Sequence, residues 1–517
     1  MTGRVHLVGA GPGDPGLLTL RGQRCLAQAD VVVHDHLVPR RLLEHVRPDA
    51  EVIAIGRPHD DQSRLEQSAV AALLIERARA GLDVVRLKNG DPFVFGRGAE
   101  EIEALVAAGV PFDVVPGVTS AVAVPAYAGI PVTHRAHASL VTIVTGHQAC
   151  LSSGEDPPPL PWPALVAQGG TLVFLMAARR LASILDALVL HGLAPETPAA
   201  VVQHGTLGSQ QTIEATAGTL AARAGEVKPP AVLVVGDVVR ARAGAAWFEQ
   251  RPLLGRRVVV TRPREQAGEL ARLFEEQGAE VVVFPTIALG PPPDPAALDR
   301  AVTTAVTYDW CVFTSANGVR VFFERFAALG RDVRELAGVR LAAIGPETAA
   351  ALERLLLRPA IVPGEYRAEG LLAALAGEEL AGQRILLPRA AGARAVLPET
   401  LAARGAHVDE VVAYAAVPPA DADVAGMRQA LEDGTLDVLT FTSSSTVEHF
   451  VRLVGADLLA RVRRPLVACI GPITAATAAA LHLPADVQPD DYTTPALAAA
   501  VTEHFCKAGA DRISGSR

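Results

Sequence analysis

Cysteine is sparse in this chain, five residues in 517, and no two of them form a C-x-x-C pair. Cys25, Cys150, Cys311, Cys469 and Cys506 therefore read as reduced thiols, which excludes a disulfide framework and a thiolate zinc site. Histidine pairs such as His34/His36 and His134/His137 lack a third ligand nearby, so no metal is expected. Long apolar runs are also missing. Nothing approaches the roughly 18 residues a membrane helix needs, and no basic-flanked apolar leader is visible. Positive charge is in deficit, with 47 Lys and Arg against 56 Asp and Glu. That balance excludes a general nucleic-acid binder, though not a locally basic pocket. These absences set the expectation of a cytoplasmic protein that acts on small molecules, with no nucleic acid and no membrane as partner.

What is present is periodic. Val/Ile/Leu runs such as "DVVVHD", "DVVRLK", "VTIVTG", "TLVFLM", "AVLVVGD", "RVVVTR" and "DVLTFTS" alternate with longer Ala/Leu/Arg/Glu segments. The pattern predicts an α/β protein with parallel sheets covered on both faces. The Pro-rich stretch 152–163 predicts a loop. The segment "ARAGAAWFEQRPLLG", 241–255, predicts the main boundary, which leaves residues 1–245 and 253–517 as halves and 246–252 as linker. The second half repeats itself. "RRVVVTRPREQAGELARLFEEQGAEVVVFP" is echoed by "QRILLPRAAGARAVLPETLAARGAHVDEVVAY", "VFTSANGVRVFF" by "TFTSSSTVEHF", and "RLAAIGPETAAAL" by "LVACIGPITAATAAAL", at offsets within a residue or two of 127. A period that long means two related lobes with a cleft between them, a favoured place for a ligand.

Near the start, "GAGPGDPG" satisfies G-x-G-x-x-G through Gly11, Gly13 and Gly16. A dinucleotide cradle wants a helix N-terminus facing pyrophosphate, but Pro12 has no N–H and Asp14 brings negative charge to that place. Spacing alone leaves the question open, because Asp30 and Asp35 stand where a ribose-binding acid could. The neighbouring blocks "ADVVVHDHLV", "RLKNGDPFVFGRGAEE", "VVPGVTSA", "GIPVTHR", "VTGH", "LVFLMA" and "PPAVLVVGDVV" decide it. In this order the set closely resembles uroporphyrinogen-III C-methyltransferases, within the precorrin methyltransferase family, over about residues 3 to 245. The resemblance implies a two-domain α/β fold (about 1–130 and 131–245), methyl transfer from S-adenosylmethionine to a tetrapyrrole, and a homodimer. It assigns Asp35 as proton acceptor, a residue that would otherwise be read as a strand-end cap. Arg57 stands where the family has a proton-donating lysine. An arginine can position a propionate but is a poor proton donor. Cofactor positions carry over to Pro12, Asn89, Gly90, Asp91, Val94, Thr119, Ser120, Met176 and Gly205. Asn89 replaces a glycine, and asparagine tolerates positive φ better than most residues. Met176 alone would be read as core.

Residues 253–517 resemble uroporphyrinogen-III synthase through "VVVTRP", "FTSANGV", "AAIGPETAAAL", "LLPRA", "VVAYAAV", "FTSSSTVEHF" and "IGPITA". The resemblance implies two lobes, 253–287 plus 417–517 and 288–416, joined by two linker strands. It also implies closure of hydroxymethylbilane to uroporphyrinogen III with inversion of the last ring, and no cofactor. Such a polycarboxylate suits arginines and the backbone N–H groups of helix-start turns. Thr261, Arg262, Ser315, Asn317, Ser443, Ser444 and Thr474 are the candidate lining residues. Any Ser or Thr among them also suits an N-cap. Tyr414 matches the family's cleft tyrosine, which assists departure of the hydroxyl; a tyrosine at a strand end otherwise packs. The combined expectation is a bifunctional enzyme that makes uroporphyrinogen III and methylates it twice to precorrin-2, for sirohaem or cobalamin. The alternative is a nicotinamide-dependent oxidoreductase fused to a two-lobed ligand-binding module.

Overall fold

The computed structural model describes residues 2–56, 67–146, 160–417, 419 and 422–514. Among these residues the strands fall into four sheets. β1 (Val5–Gly9), β2 (Val31–Asp35), β3 (Glu51–Ile55), β4 (Val84–Lys88) and β5 (Phe112–Val115) form the first, ordered β3-β2-β4-β1-β5 and parallel throughout. β4 is buried along its whole length, Arg86 and Lys88 included. All five strands end on one edge, where loops after β1, β2 and β4 gather, as ligand-binding loops do in open parallel sheets.

β6 (Val141–Thr145), β7 (Thr171–Leu175), β8 (Pro198–Gln203), β9 (Gln211–Thr216) and β10 (Ala231–Val235) form the second sheet, ordered β6-β7-β10-β8-β9. Here the expectation of parallel strands needs correction. Only β6 and β7 pair parallel; β10 runs antiparallel to β7 and β8, and β9 to β8. The reason is burial on both faces. Ala199, Val201, Leu233 and Val235 pack toward the helix Leu181–Leu190, while Ala200, Val202, Val232 and Val234 pack toward the helix Ser120–Tyr127. A strand covered on both sides reads as one apolar run whichever way its neighbours point.

The second half contains β11 (Arg257–Val260), β12 (Glu280–Val283), β13 (Ala288–Gly290), β14 (Trp310–Phe313), β15 (Arg340–Ala343), β16 (Arg384–Ala390), β17 (His407–Val417), β18 (Val438–Phe441) and β19 (Leu466–Cys469). They form two sheets, ordered β12-β11-β18-β19 and β13-β17-β16-β14-β15. The chain leaves the first after β12, builds the second, and returns through β17. The repeat in the sequence is thus a repeat in topology: β12-β11-β18-β19 corresponds to β17-β16-β14-β15. Each series is extended by a single parallel bridge, Ala468 to Val487 in one lobe and Ala342 to Ile361 in the other.

The two halves touch. Arg41 forks onto Glu275, with Nε and Nη2 2.8 and 3.1 Å from its two carboxylate oxygens, and Gly255 N–H donates to the Gly208 carbonyl at 2.8 Å. Trp247 and Phe248 pack on Tyr127 at ring distances of 5.1 and 4.9 Å, and the Arg251 guanidinium lies over both. Leu253 is already in the core beneath β11. Among the described residues no helix is long and apolar enough to cross a membrane.

Candidate active sites

Glycine determines the first site. The backbones of Gly9, Gly90 and Gly117 meet at the ends of β1, β4 and β5: a Cβ on Gly117 would lie 2.2 Å from the Gly90 carbonyl oxygen and 2.6 Å from Gly9 Cα. Gly11 and Gly90 exchange backbone hydrogen bonds of 2.8 and 3.2 Å, both with positive φ. Gly205 presses on the helix Ser120–Tyr127, where its Cβ would lie 2.4 Å from Val124 Cγ1. Val94 packs against the same helix, and Gly13 meets Thr206 and Leu207. These contacts bring Gly90, Val94, Ser120 and Gly205, with the chain neighbours Pro12 and Thr119, around one cradle between the first two sheets. Met176 follows β7, half exposed and at φ +56°. Among the described residues, five of the seven non-glycine residues with positive φ, Phe95, Arg97, Met176, His204 and Thr206, lie in the surrounding loops. Strain of this kind collects at ligand sites. Gly117→Ala is expected to lower stability by about 1–3 kcal/mol or more, because backbone rather than side chain must move. Gly268→Ala, on the partly exposed face of the helix Arg264–Glu276 where an added Cβ meets open space, is the control expected to leave the thermal midpoint unchanged or raise it.

The opening glycines are not built for pyrophosphate. Asp14 caps the short helical turn Pro15–Leu17, its Oδ1 accepting from Gly16 N–H at 2.7 Å, while Tyr127 donates its hydroxyl to Oδ2 at 2.7 Å. A fixed carboxylate thus occupies the place where phosphate would sit. Asn89 needs a correction, since it has no positive φ; Gly90 beside it carries the turn at +69°. The Asn89 side chain instead buries its Oδ1 with no hydrogen-bond partner. Asp91 is a strut, accepting from Phe93 and Gly117 N–H groups at 2.8 and 3.0 Å, and Thr119 caps its helix through Ala121 N–H.

Asp35 ends β2 at the rim of this cradle. Arg86 Nη2 lies 2.5 Å from Oδ1, and Asn89 N–H donates to Oδ2 at 3.3 Å. Burial alone would raise its carboxyl pKa, but the charges of Arg86 and Lys88 and these hydrogen bonds outweigh it and hold the group below the usual range. Behind Asp35, Arg86 Nε reaches Glu101 Oε1 at 3.1 Å and Lys88 Nζ reaches the same oxygen at 2.8 Å. These three residues were not singled out from the sequence. The available signal was two cations at alternate positions of an otherwise apolar strand. The proposed role of Arg57 falls outside the described residues.

In the second half the strand ends of the two lobes face each other. Gln266, in the helix Arg264–Glu276 after β11, donates to Asn317 Oδ1 at 2.8 Å across the gap. Arg262 reaches Thr494 Oγ1 at 2.8 Å. Ser315 and Ser443 are N-caps of the helices Ala316–Ala328 and Ser444–Val454, so both readings of them meet at helix starts. Tyr414, nearly buried, places its hydroxyl 2.9 Å from Ser315 Oγ. Ser444 Oγ lies 2.7 Å from Thr477 Oγ1. Two candidates are corrected. Thr261 is fully buried and donates to the Thr440 carbonyl at 2.6 Å, tying β11 to β18, while Thr474 sits on the inward face of its helix and Ile473 takes the outward one. Sequence reasoning missed Gln266, and also Tyr366 and Tyr492, exposed tyrosines beside the helix-start glycines Gly345 and Gly471.

Comparison with known proteins agrees with this division. The family model for tetrapyrrole (corrin/porphyrin) methylases matches residues 4–221, and that for uroporphyrinogen-III synthase HemD matches 268–499. The porphyrin biosynthesis protein HemD of Ruminiclostridium josui is 38% identical over 455 residues, 87% of this chain and 88% of that protein. The uroporphyrinogen-III C-methyltransferase of Bacillus subtilis is 38% identical over 354 residues, 68% of this chain and 71% of its own length. Among solved structures, the Thermus thermophilus uroporphyrin-III C-methyltransferase complexed with S-adenosyl homocysteine is 41% identical, covering 46% of this chain and 99% of that one, with a TM-score of 0.40. The chain belongs to the porphyrin-biosynthesis proteins that join a tetrapyrrole methylase to a uroporphyrinogen-III synthase.

Proposed function

We infer that the C-terminal half closes hydroxymethylbilane to uroporphyrinogen III with inversion of the last ring, and that the N-terminal half then methylates this product twice to precorrin-2. The observation that carries the reading is a relative aligned across 87% of the chain, a length that takes in most of both halves. S-adenosylmethionine supplies the methyl group. The glycine cradle suits a donor held against bare backbone, and the buried Asn89 Oδ1 is an acceptor suited to one of its N–H or O–H groups. Positioning the pyrrole carbon against the methyl supplies much of the rate. Asp35 accepts the proton that leaves once the new carbon–carbon bond has made the ring cationic, and a cation that acidic needs only a weak base. Arg57 holds a propionate. In the synthase half, Arg262, Ser315, Asn317, Ser443 and Ser444 hold the carboxylates of the linear substrate, and Tyr414 assists loss of its hydroxyl. Residues 1–245 and 253–517 act as the two enzymes, in the cytoplasm, without a metal, and as a homodimer through the first half. Incubating the full chain with hydroxymethylbilane and S-adenosylmethionine should give the mass of a doubly methylated product. Uroporphyrinogen I alone, or an unmethylated uroporphyrinogen III, would overturn one half of the reading or the other.

A further inference from the structure

Four charges lie in one buried line behind the cradle. Arg86, Lys88 and Glu101 are 4%, 2% and 0% exposed, and only Asp35, with a side chain 29% exposed, reaches the surface of the site. Arg86 and Lys88 are two apart on β4 and so share a face. Glu101 comes from the first turn of the helix Gly98–Ala107, where a carboxylate also gains from the helix dipole. Among the described ion pairs the line reads Asp35, Arg86, Glu101, Lys88, with alternating sign, and these four charges sum to zero. Desolvating four charges is expensive, and apolar residues of similar volume usually serve a core as well or better. Simple packing therefore does not account for the arrangement.

Its geometry does. The Arg86 guanidinium is shared: Nη2 goes to Asp35 at 2.5 Å, Nε to Glu101 at 3.1 Å, and Nη1 to the Leu87 carbonyl at 3.2 Å. Glu101 fixes the end of Arg86 that Asp35 does not. Lys88 binds the same Glu101 oxygen at 2.8 Å and neutralises it, so that Glu101 orients Arg86 without drawing it off Asp35. Without Lys88, Glu101 competes with Asp35 for the guanidinium. Without Glu101, two like charges face each other on one strand.

We propose that Glu101 and Lys88 are positioning residues for methyl transfer, which act through Arg86 to hold the Asp35 carboxylate in its working orientation. The proposal rests on the reading of Asp35 as proton acceptor. The test uses the full chain, with methyl transfer to uroporphyrinogen III resolved into kcat and KM and S-adenosylmethionine binding measured separately. Lys88→Met and Glu101→Gln should each lower kcat about ten-fold or more, with KM and cofactor affinity within about two-fold. The double variant Lys88→Met/Glu101→Gln restores neutrality and should recover to within a few-fold of the parent. Lys88→Arg should retain most of the rate. Parent-like kcat in both single variants, or losses that simply multiply in the double, overturns the proposal. If the single variants fail to fold, the double decides: near-parent kcat supports the proposal, and a ten-fold loss with intact cofactor binding overturns it. Asp35→Asn separates the two readings. Parent-like turnover in that variant removes the acceptor role itself, whereas an inactive Asp35→Asn beside fully active single variants removes only the positioning role.

Discussion

Asp35→Asn is expected to bind S-adenosylmethionine as the parent does and to transfer methyl more slowly by a factor on the order of 10² or more, the usual scale for a lost acid or base. The substitution preserves shape and the contact with Asn89 N–H but removes the charge that Arg86 faces at 2.5 Å. The sign of the carboxyl shift gives a second check. Its pKa is held below the ordinary value of 3.8, so the group stays ionised at neutral pH and through mild acid. The methylation rate should therefore show no acid limb from Asp35 until pH falls below that value. The stability contributed by its ion pair is present above the unfolded-state pKa and is lost as pH falls through the lower folded one. Near-normal methylation by the variant would sink the assignment.

Tyr414→Phe is the second large effect. The ring packs in the core beside β14 and β16, while the hydroxyl meets Ser315 Oγ at 2.9 Å at the start of the helix Ala316–Ala328. Phenylalanine keeps the packing and removes only the hydroxyl. Ser315 keeps its other task, accepting from Gly318 N–H at 3.0 Å. Loss of a transition-state hydrogen bond should cost roughly 1.5–3 kcal/mol, or about one to two decades of rate. Uncatalysed closure of hydroxymethylbilane gives the symmetric isomer, so the variant should release more of that isomer without a matching fall in thermal midpoint. A parent-like rate and isomer ratio would make the tyrosine a packing residue. Ser315→Ala offers a contrast, because it removes a helix cap as well as the Tyr414 contact and should lower both stability and rate.

The fold was legible where a residue's neighbours in sequence decide its environment. "DVVVHD", "DVVRLK", "TLVFLM" and "AVLVVGD" are the strands β2, β4, β7 and β10, because continuous burial needs continuous apolar side chains. Strand direction in the second sheet was not legible, since β8 and β10 present apolar side chains to both faces and carry no mark of which way a neighbour runs. Asp35 stood out through its motif. Glu101, 13 residues beyond Lys88 and on a separate helix, meets it only once β4 and that helix have packed. Thr261 failed as a lining residue for a related reason. The side chain at a strand end points inward or outward according to register, and here register aims the hydroxyl at the Thr440 carbonyl.

The duplicated lobes have a consequence for how a linear molecule sits between them. Twin walls related by an internal pseudo-symmetry are nearly indifferent to which end of a chain lies at which end of the groove. The walls here are twins down to their capping serines, Ser315 in one lobe and Ser443 in the other. They differ in what meets the cap. Ser315 faces the Tyr414 phenol, whereas Ser443 pairs with Ser445 at 3.0 Å, and the residue 127 positions before Tyr414 is the buried aliphatic Ile287. On the proposed reading, the Tyr414 phenol, which has no twin in the other lobe, gives the groove a head and a tail. A reaction that must begin at a single terminus of its substrate needs that polarity, and a perfectly duplicated scaffold could not supply it.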